Sequence, residues 1–412
     1  MNMKYICLLC SDITVEKVLC LPESPLANSL PIDNVEVDFY PLELGVCKSC
    51  GHIQLTYIVD PQVLFTDYPY LSNSGSQAVN RLDLLADDLD SIFATKEKKL
   101  VIEIGSNDGY LLKQFKNKGW LVLGIDPSVK ASRIANENCV ETICDFFSPE
   151  LANRISISHN NPDLIIANNV LAHTDKMNEI FSGITKLMTN STILVVEFSY
   201  ALDVYEKMLI DTIYHEHMSY HSLIPLTIFL NKFNLFIFDA IRFDAHGGSL
   251  RIYIKKIMSS NVVNPRVESL VKKEQRLKLS SAETWAIFEK RLEGMKLNIN
   301  ELLSKLVEDG KRIVGFGVPA KFTTLFYALG LDEKYFWYLV DDNSLKHYRF
   351  APGTNLQIFD SSRLKTDTPN YIFIFSWNYA ESITARIYEN QLSTEGIVVP
   401  LPVLSIQKIQ AN

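Results

Sequence analysis

The stretch that most restricts the fold is Lys98–Trp120, KKLVIEIGSNDGYLLKQFKNKGW. An unbroken apolar run, Leu100–Ile104, runs into a glycine loop, and from about Tyr110 apolar residues recur at helical spacing. A buried strand, a glycine turn and a helix in that order open a doubly wound α/β sheet. Further strand–helix repeats follow: WLVLGID ending in Asp126, a helix over 128–138, DLIIANN over 163–169, a helix over 175–188 and TILVVEF over 192–198. Two strands around a glycine-bearing turn, NLFIFDAIRFDAHGGSLRIYIKK, then read as an antiparallel hairpin. The fold class is α/β.

At 412 residues the chain exceeds a single core, so two or three domains are expected. A net charge of −8 gives no support to a nucleic-acid or anionic-membrane partner. No apolar run reaches the roughly 18 residues needed to span a bilayer. MNMKYICLLCSD lacks the apolar length and cleavage site of a signal peptide, so a cytoplasmic protein is expected.

In such a compartment cysteines are thiols or metal ligands. Cys7 and Cys10 form one C-x-x-C knuckle, and Cys47 and Cys50, after 36 intervening residues, form a second. Two knuckles complete a tetrahedral S₄ shell that suits a structural Zn²⁺ and leaves no open position. Cys20, among apolar neighbours, is expected in a core, and His52 is a spare ligand. Residues 53–75 read as a linker in which Tyr68 and Tyr70 flank Pro69. An amphipathic helix is expected from Gln77 to Ala94.

Tyr214–Ser222, YHEHMSYHS, concentrates three of the chain's eight histidines with two tyrosines and a glutamate. Its polar groups are too many for an ordinary core, and they suit proton transfer near neutral pH. A His-rich loop without a role, or a fortuitous metal site, is the competing account. His173 follows the carboxyl end of the fourth strand, where ligands bind in open α/β sheets.

Residues 264–310 are charged and periodic, which fits one or two connecting helices broken near Ser280 and Ser281. A smaller Rossmann-like unit follows from Lys311, with strands at RIVGFG, 336–342 and 371–377 and helices over 320–329 and 379–389. Its loop carries two of three fingerprint glycines, Gly315 and Gly317, which argues little for a nicotinamide cofactor. It either packs only or helps to hold a nucleotide. The expected domains are 1–75, 76–260, 261–310 and 311–412.

Together these motifs resemble the S-adenosylmethionine (SAM)-dependent C-methyltransferases of nucleotide-linked deoxysugars. The resemblance covers essentially the full length and rests on the two C-x-x-C pairs, EIGSNDG (Glu103–Gly109), YHEHMSY (Tyr214–Tyr220) and HGGSLR (His246–Arg251). It also rests on GFGVPAK (Gly315–Lys321), Asp341–Asn343 and Pro352–Thr354. It implies a zinc module, a central SAM-binding Rossmann-like domain closed by the hairpin, and a smaller C-terminal Rossmann-like domain. SAM would be held by Glu103, Gly105, Asn107, Gly109, Asp126, Asp145, Phe146 and Asn168. The substrate would be a dTDP-linked 4-keto-deoxysugar, contacted by His246, Arg251 and Lys321.

By the same resemblance His217 removes the C-3 proton and Glu216 supports it. Tyr214 and His173 are candidate donors to the C-4 oxygen. A base near imidazole's ordinary pKa of about 6.5 would suit that work. Tyr68–Ser76, YPYLSNSGS, has one residue more than the family's usual segment, so whether Tyr68 or Tyr70 faces the substrate stays open. The alternatives are methylation of a sugar oxygen or nitrogen, and a non-catalytic SAM- or nucleotide-sugar-binding protein. Oligomeric state is not indicated.

Overall fold

The computed structural model describes residues 5–409 apart from 28, 34, 61–62, 65–75 and 259–261. Tyr68 and Tyr70 therefore lie outside the described residues. Three sheets organise the rest.

The first begins with β1 (Val15–Ser24), β2 (Tyr40–Cys47) and the short β3 (Ile53–Leu55). Residues 53–55 are thus sheet, where the sequence suggested linker. Register shifts at Lys17/Leu19 and Leu21/Ser24 interrupt the alternation of β1. Leu19 and Leu21 turn inward and leave Cys20 exposed, against its expected place in the core.

The central sheet is built from β4 (Leu100–Ile104), β5 (Leu121–Ile125), β6 (Thr142–Ile143), β7 (Leu164–Asn168) and β8 (Ile193–Ser199). Next in the chain, β9 (Ser219–Tyr220) returns to the first sheet, whose order is β1-β2-β3-β9. Strands β10 (Leu235–Phe243) and β11 (Ser249–Lys256) complete the central sheet in the order β10-β11-β8-β7-β4-β5-β6. Pairing is parallel from β6 to β8 and antiparallel through β11 and β10. The strand order reverses between β4 and β7, which marks the crevice where such sheets bind ligands.

Alternation along the strands divides the core. Val101, Leu164, Ile166, Ile193 and Val195 face Leu82, Leu85, Ala86 and Leu89 of the helix Ser76–Ile92. Those four recur at i, i+3, i+4 and i+7, one stripe of a helix. Leu100, Ile102, Ile104, Ile165 and Leu194 face the other way, toward Ile155, Phe181, Ile184 and Leu187.

Two helices, Pro265–Leu277 and Ala282–Glu308, lead onward. They break where Lys278 adopts φ 50° and Ser281 accepts from the Glu283 N–H as N-cap. The third sheet contains β12 (Ile313–Phe316), β13 (Leu339–Val340), β14 (Ile358–Phe359), β15 (Tyr371–Ile374), β16 (Gly396–Val399) and β17 (Ser405–Lys408). Its order is β14-β13-β12-β15-β16-β17, parallel except for β17, so it too reverses, between β12 and β15. No described helix is long and apolar enough to cross a membrane.

Candidate active site and cysteine centre

Cys7, Cys10, Cys47 and Cys50 bring their sulfurs within 4.8 Å of one another. Cys7 and Cys50 Sγ are 3.6 Å apart, and Cys10 and Cys47 Sγ 3.5 Å. Sulfurs at about 2.3 Å from a tetrahedral zinc lie about 3.8 Å apart, so the four fit such an ion with small adjustment. His52 is not part of the group: its Nε2 meets Ser219 Oγ at 3.1 Å.

Behind this centre, β3 pairs with β9, Ile53 opposite Tyr220 and Gln54 opposite Ser219. The Leu55 N–H donates to the Met218 carbonyl at 2.9 Å. The first sheet therefore ends on the His-rich run. That run is buried throughout, which its polarity argued against. It can be buried because partners come from several directions. His215 Nε2 reaches the Tyr40 carbonyl at 3.3 Å, His221 Nε2 the Leu171 carbonyl at 3.0 Å, and His217 Nδ1 the Thr212 carbonyl at 2.8 Å.

The last contact fixes chemistry. A carbonyl only accepts, so His217 Nδ1 carries hydrogen and Nε2 keeps the lone pair. The ring packs between Tyr214 and His173, at centroid distances of 4.3 and 4.9 Å. His173 stands on the short 3₁₀ turn Leu171–His173 and meets the Glu216 backbone. Glu216 itself is buried.

Burial pushes the His217 pKa well below the imidazole range, and His173, Lys321 and His246 add to the effect. The expected base near 6.5 is thus corrected: this imidazole is neutral across ordinary pH and yields a stronger acid once protonated. Burial likewise takes His173 down to about 4. His246, in the hairpin turn, is lowered to about 3 by its crowded surroundings, then by Lys321 and Arg81.

Lys321 lies against this group, with Nζ 3.1 Å from Thr212 Oγ1 and 3.3 Å from the His246 carbonyl. Arg251 does not join it. Its Nε donates to Glu197 Oε2 at 3.2 Å on the neighbouring strand, and Arg81 pairs with the other Glu197 oxygen. Glu197 is fully buried, so Arg251 balances a carboxylate inside the sheet, and the contact with substrate expected for it is not what its geometry offers.

At the switch point, Glu103 ends β4 and the loop closes with Asn107 N–H donating to Asp126 Oδ2 at 2.8 Å. Asp126 Oδ1 accepts from Ser128 N–H, so both its oxygens brace the loop. Gly105 has φ 71°, and a Cβ there would lie 2.4 Å from Val170 Cγ2. The loop thus packs on the segment that leads to His173. Gly109 begins the helix Tyr110–Asn117. Burial, with Asp126 and Asp108 nearby, raises the Glu103 pKa well above the carboxylate range.

Glu103 Oε2, Ser106 Oγ and both amide atoms of Asn168 are buried without hydrogen-bond partners among the described residues. Such groups at one sheet edge call for a polar ligand, and a cationic one would let Glu103 ionise. They fit SAM, which carries an ammonium, a sulfonium and hydroxyls. Asp145 and Phe146 follow β6 on the same carboxyl edge and are exposed.

Asp211, Thr212 and Trp377 touch the His217 group and were passed over in the sequence. Nothing local marks them: Asp211 and Thr212 sit in an apolar run, and Trp377 caps an apolar strand far along the chain.

Three family models match successive parts of the chain: "Putative zinc binding domain" over residues 7–65, "Methyltransferase domain" over 78–237 and "C-methyltransferase C-terminal domain" over 244–402. The C-methyltransferase NovU of Streptomyces niveus is 28% identical over 399 residues, covering 96% of this chain and 95% of that protein. Among solved structures, magnesium protoporphyrin IX methyltransferase (ChlM) from Synechocystis PCC 6803 aligns at 17% identity and TM-score 0.35, over 43% of this chain and 83% of its own. An S-adenosylmethionine-dependent methyltransferase from Clostridium acetobutylicum ATCC 824 aligns at 10% identity and TM-score 0.34, over 43% and 92%. In succession the chain thus matches a zinc-binding domain, a methyltransferase domain and a C-methyltransferase C-terminal domain, and it is similar over nearly its whole length to a C-methyltransferase.

Proposed function

We propose that the chain transfers the methyl group of SAM to C-3 of a dTDP-linked 4-keto-deoxysugar. The observation that carries this reading is the buried His217 ring, its Nδ1–H fixed on the Thr212 carbonyl and its Nε2 left as the acceptor. Methylating carbon requires a base and a stabilised oxyanion, whereas a sugar oxygen needs far less help.

In this reading SAM lies along Glu103–Gly109, Asp126, Asn168 and the exposed Asp145–Phe146 edge, and supplies an electrophilic methyl group. His217 Nε2 takes the C-3 proton. The electron pair of that C–H bond moves toward the C-4 ketone, and Tyr214 and His173 supply hydrogen bonds to the oxygen as charge builds. One preorganised donor of this kind is worth roughly 2.7–4 kcal/mol. The C-3–methyl bond then forms as the sulfur–methyl bond breaks, S-adenosylhomocysteine leaves, and the imidazolium returns its proton to solvent. His246 and Lys321 border the substrate side, and Tyr68 or Tyr70 completes it. Cys7, Cys10, Cys47 and Cys50 would hold a structural zinc.

Incubation with SAM and a dTDP-4-keto-deoxysugar tests this by a mass gain of one methyl group. In deuterated water C-3 should exchange its hydrogen, and His217→Asn should abolish exchange while still binding SAM. Normal exchange in that variant removes His217 from the base role.

A further inference from the structure

The smaller C-terminal unit meets the central one at the Asp211–Thr212 loop and at the hairpin turn around His246 and Gly247. Trp377 Nε1 donates to Asp211 Oδ2 at 2.8 Å. Lys321 Nζ donates to Thr212 Oγ1 at 3.1 Å and lies 3.9 Å from Asp211 Oδ2. These two side chains follow β12 and β15, the neighbouring parallel strands where that sheet reverses. Lys321 and Trp377 therefore stand where a Rossmann-like unit usually presents itself to a ligand. Here they grip the loop beside the base. Asp211 is 1% exposed, so its bond to the indole is made out of water's reach.

Thr212 is the link. Its hydroxyl is held by Lys321 and its carbonyl holds His217 Nδ1. We propose that Lys321 and Trp377 are positioning residues for methyl transfer: by fixing Asp211 and Thr212 they set the tautomer and direction of the His217 ring. This rests on His217 being the base. It gives the C-terminal unit a part in the chemistry that does not require it to bind nucleotide.

Alignment is where the effect should show. A misplacement of about 1 Å can cost on the order of 10²-fold in rate. Lys321 also carries charge toward a group that becomes cationic in the reaction. The other groups facing His217 are His173 and Tyr214 beside the ring and His246 from the hairpin turn. Lys321 can be replaced without altering His173 or Tyr214, the two rings packed on His217.

The test uses the full chain with SAM and a dTDP-4-keto-deoxysugar. Trp377→Phe keeps an aromatic side chain there and removes the indole N–H donor. It should lower kcat about tenfold and leave S-adenosylhomocysteine binding and the sugar KM within about twofold. Lys321→Met should lower kcat and move the acid limb of the pH profile upward, and Lys321→Arg should restore part of both. Wild-type kcat and an unmoved acid limb in Trp377→Phe and Lys321→Met would overturn the proposal. So would a rise in sugar KM at constant kcat in Lys321→Met, which would make Lys321 a substrate contact. Failure of the underlying reading is separate: it appears as C-3 exchange persisting in His217→Asn.

Discussion

His217 is polar, buried and aimed by one backbone carbonyl, and its protonation follows from that setting. Its pKa lies well below imidazole's ordinary value because burial and the neighbouring His173 and Lys321 disfavour the cation. A lowered pKa keeps the base form populated as pH falls. The acid limb of kcat/KM assigned to this group should therefore lie below pH 6.5, and a profile from pH 5 to 8 decides it; a limb at or above 6.5 would contradict the burial. His221 makes the same argument for stability. It is fully buried, donates to the Leu171 carbonyl and is lowered to about 4 by burial. The unfolded chain binds that proton near 6.5, so the contribution is complete above 6.5 and lost as pH falls toward 4. At about 1.4 kcal/mol per pH unit the loss is roughly 3 kcal/mol. Urea midpoints should fall from pH 7 to 4, with the other buried histidines adding to the slope, and His221→Asn should remove about that share of the fall.

At the scale of elements, β3 and β9 matter most, because they tie the cysteine centre to the His-rich run. Cys47 ends β2, Ile53–Leu55 follows the second knuckle, and Met218–Tyr220 pairs with it directly after His217. Removing the metal should free this edge while the glycine loop of the central sheet stays intact. Chelation, or Cys47→Ser, is expected to cut kcat by about tenfold or more, in line with the cost of misplacing a reacting group, with S-adenosylhomocysteine binding kept within a few-fold. Calorimetric titration beside a turnover assay checks both, and full activity in demonstrably metal-free protein would refute the tie.

What the sequence disclosed follows from the same physics. Leu100–Ile104 was legible to the residue, because a buried parallel strand is an unbroken apolar run with a glycine turn at its end. The helix Ser76–Ile92 was legible from one apolar stripe. The register shifts of β1 hid that strand, and the alternation kept across Leu19–Leu21 turns Cys20 outward. Ser219–Tyr220 was illegible as strand because its partner lies some 166 residues earlier, and pairing at that distance leaves no local period. Of the site, His217 and Tyr214 could be gathered by motif, and His173 by its place after the fourth strand. Asp211, Thr212 and Trp377 could not, because what joins them is tertiary.

At the scale of the molecule, the two α/β sheets share a device and meet at a glycine. Asp126 braces its glycine loop through Asn107 N–H, and Asp341 braces the C-terminal loop through Val318 N–H at 2.7 Å. In the C-terminal loop Lys346 Nζ also bonds Asp341 Oδ2 at 3.0 Å, so that carboxylate is already engaged with a cation. The C-terminal sheet thus keeps the loop architecture and uses its open end for contact with the central sheet. Gly247 governs how close that contact can be. It has φ 92°, and a Cβ there would lie 2.9 Å from the Trp377 ring and 3.1 Å from Leu209. Gly119 has φ 83° and nothing within 4 Å of its Cβ position, so it isolates the backbone effect. Gly119→Ala should cost about 1 kcal/mol from left-handed backbone alone. Gly247→Ala should cost more, roughly 2–4 kcal/mol once crowding is added, measured by chemical denaturation. It should also lower turnover, because displacing Trp377 loosens Asp211 and with it the His217 ring, whereas Gly119→Ala leaves turnover unchanged. Equal stability losses and equal activity in the two variants would show that the junction tolerates the added carbon, and that the C-terminal sheet is not pressed against the base.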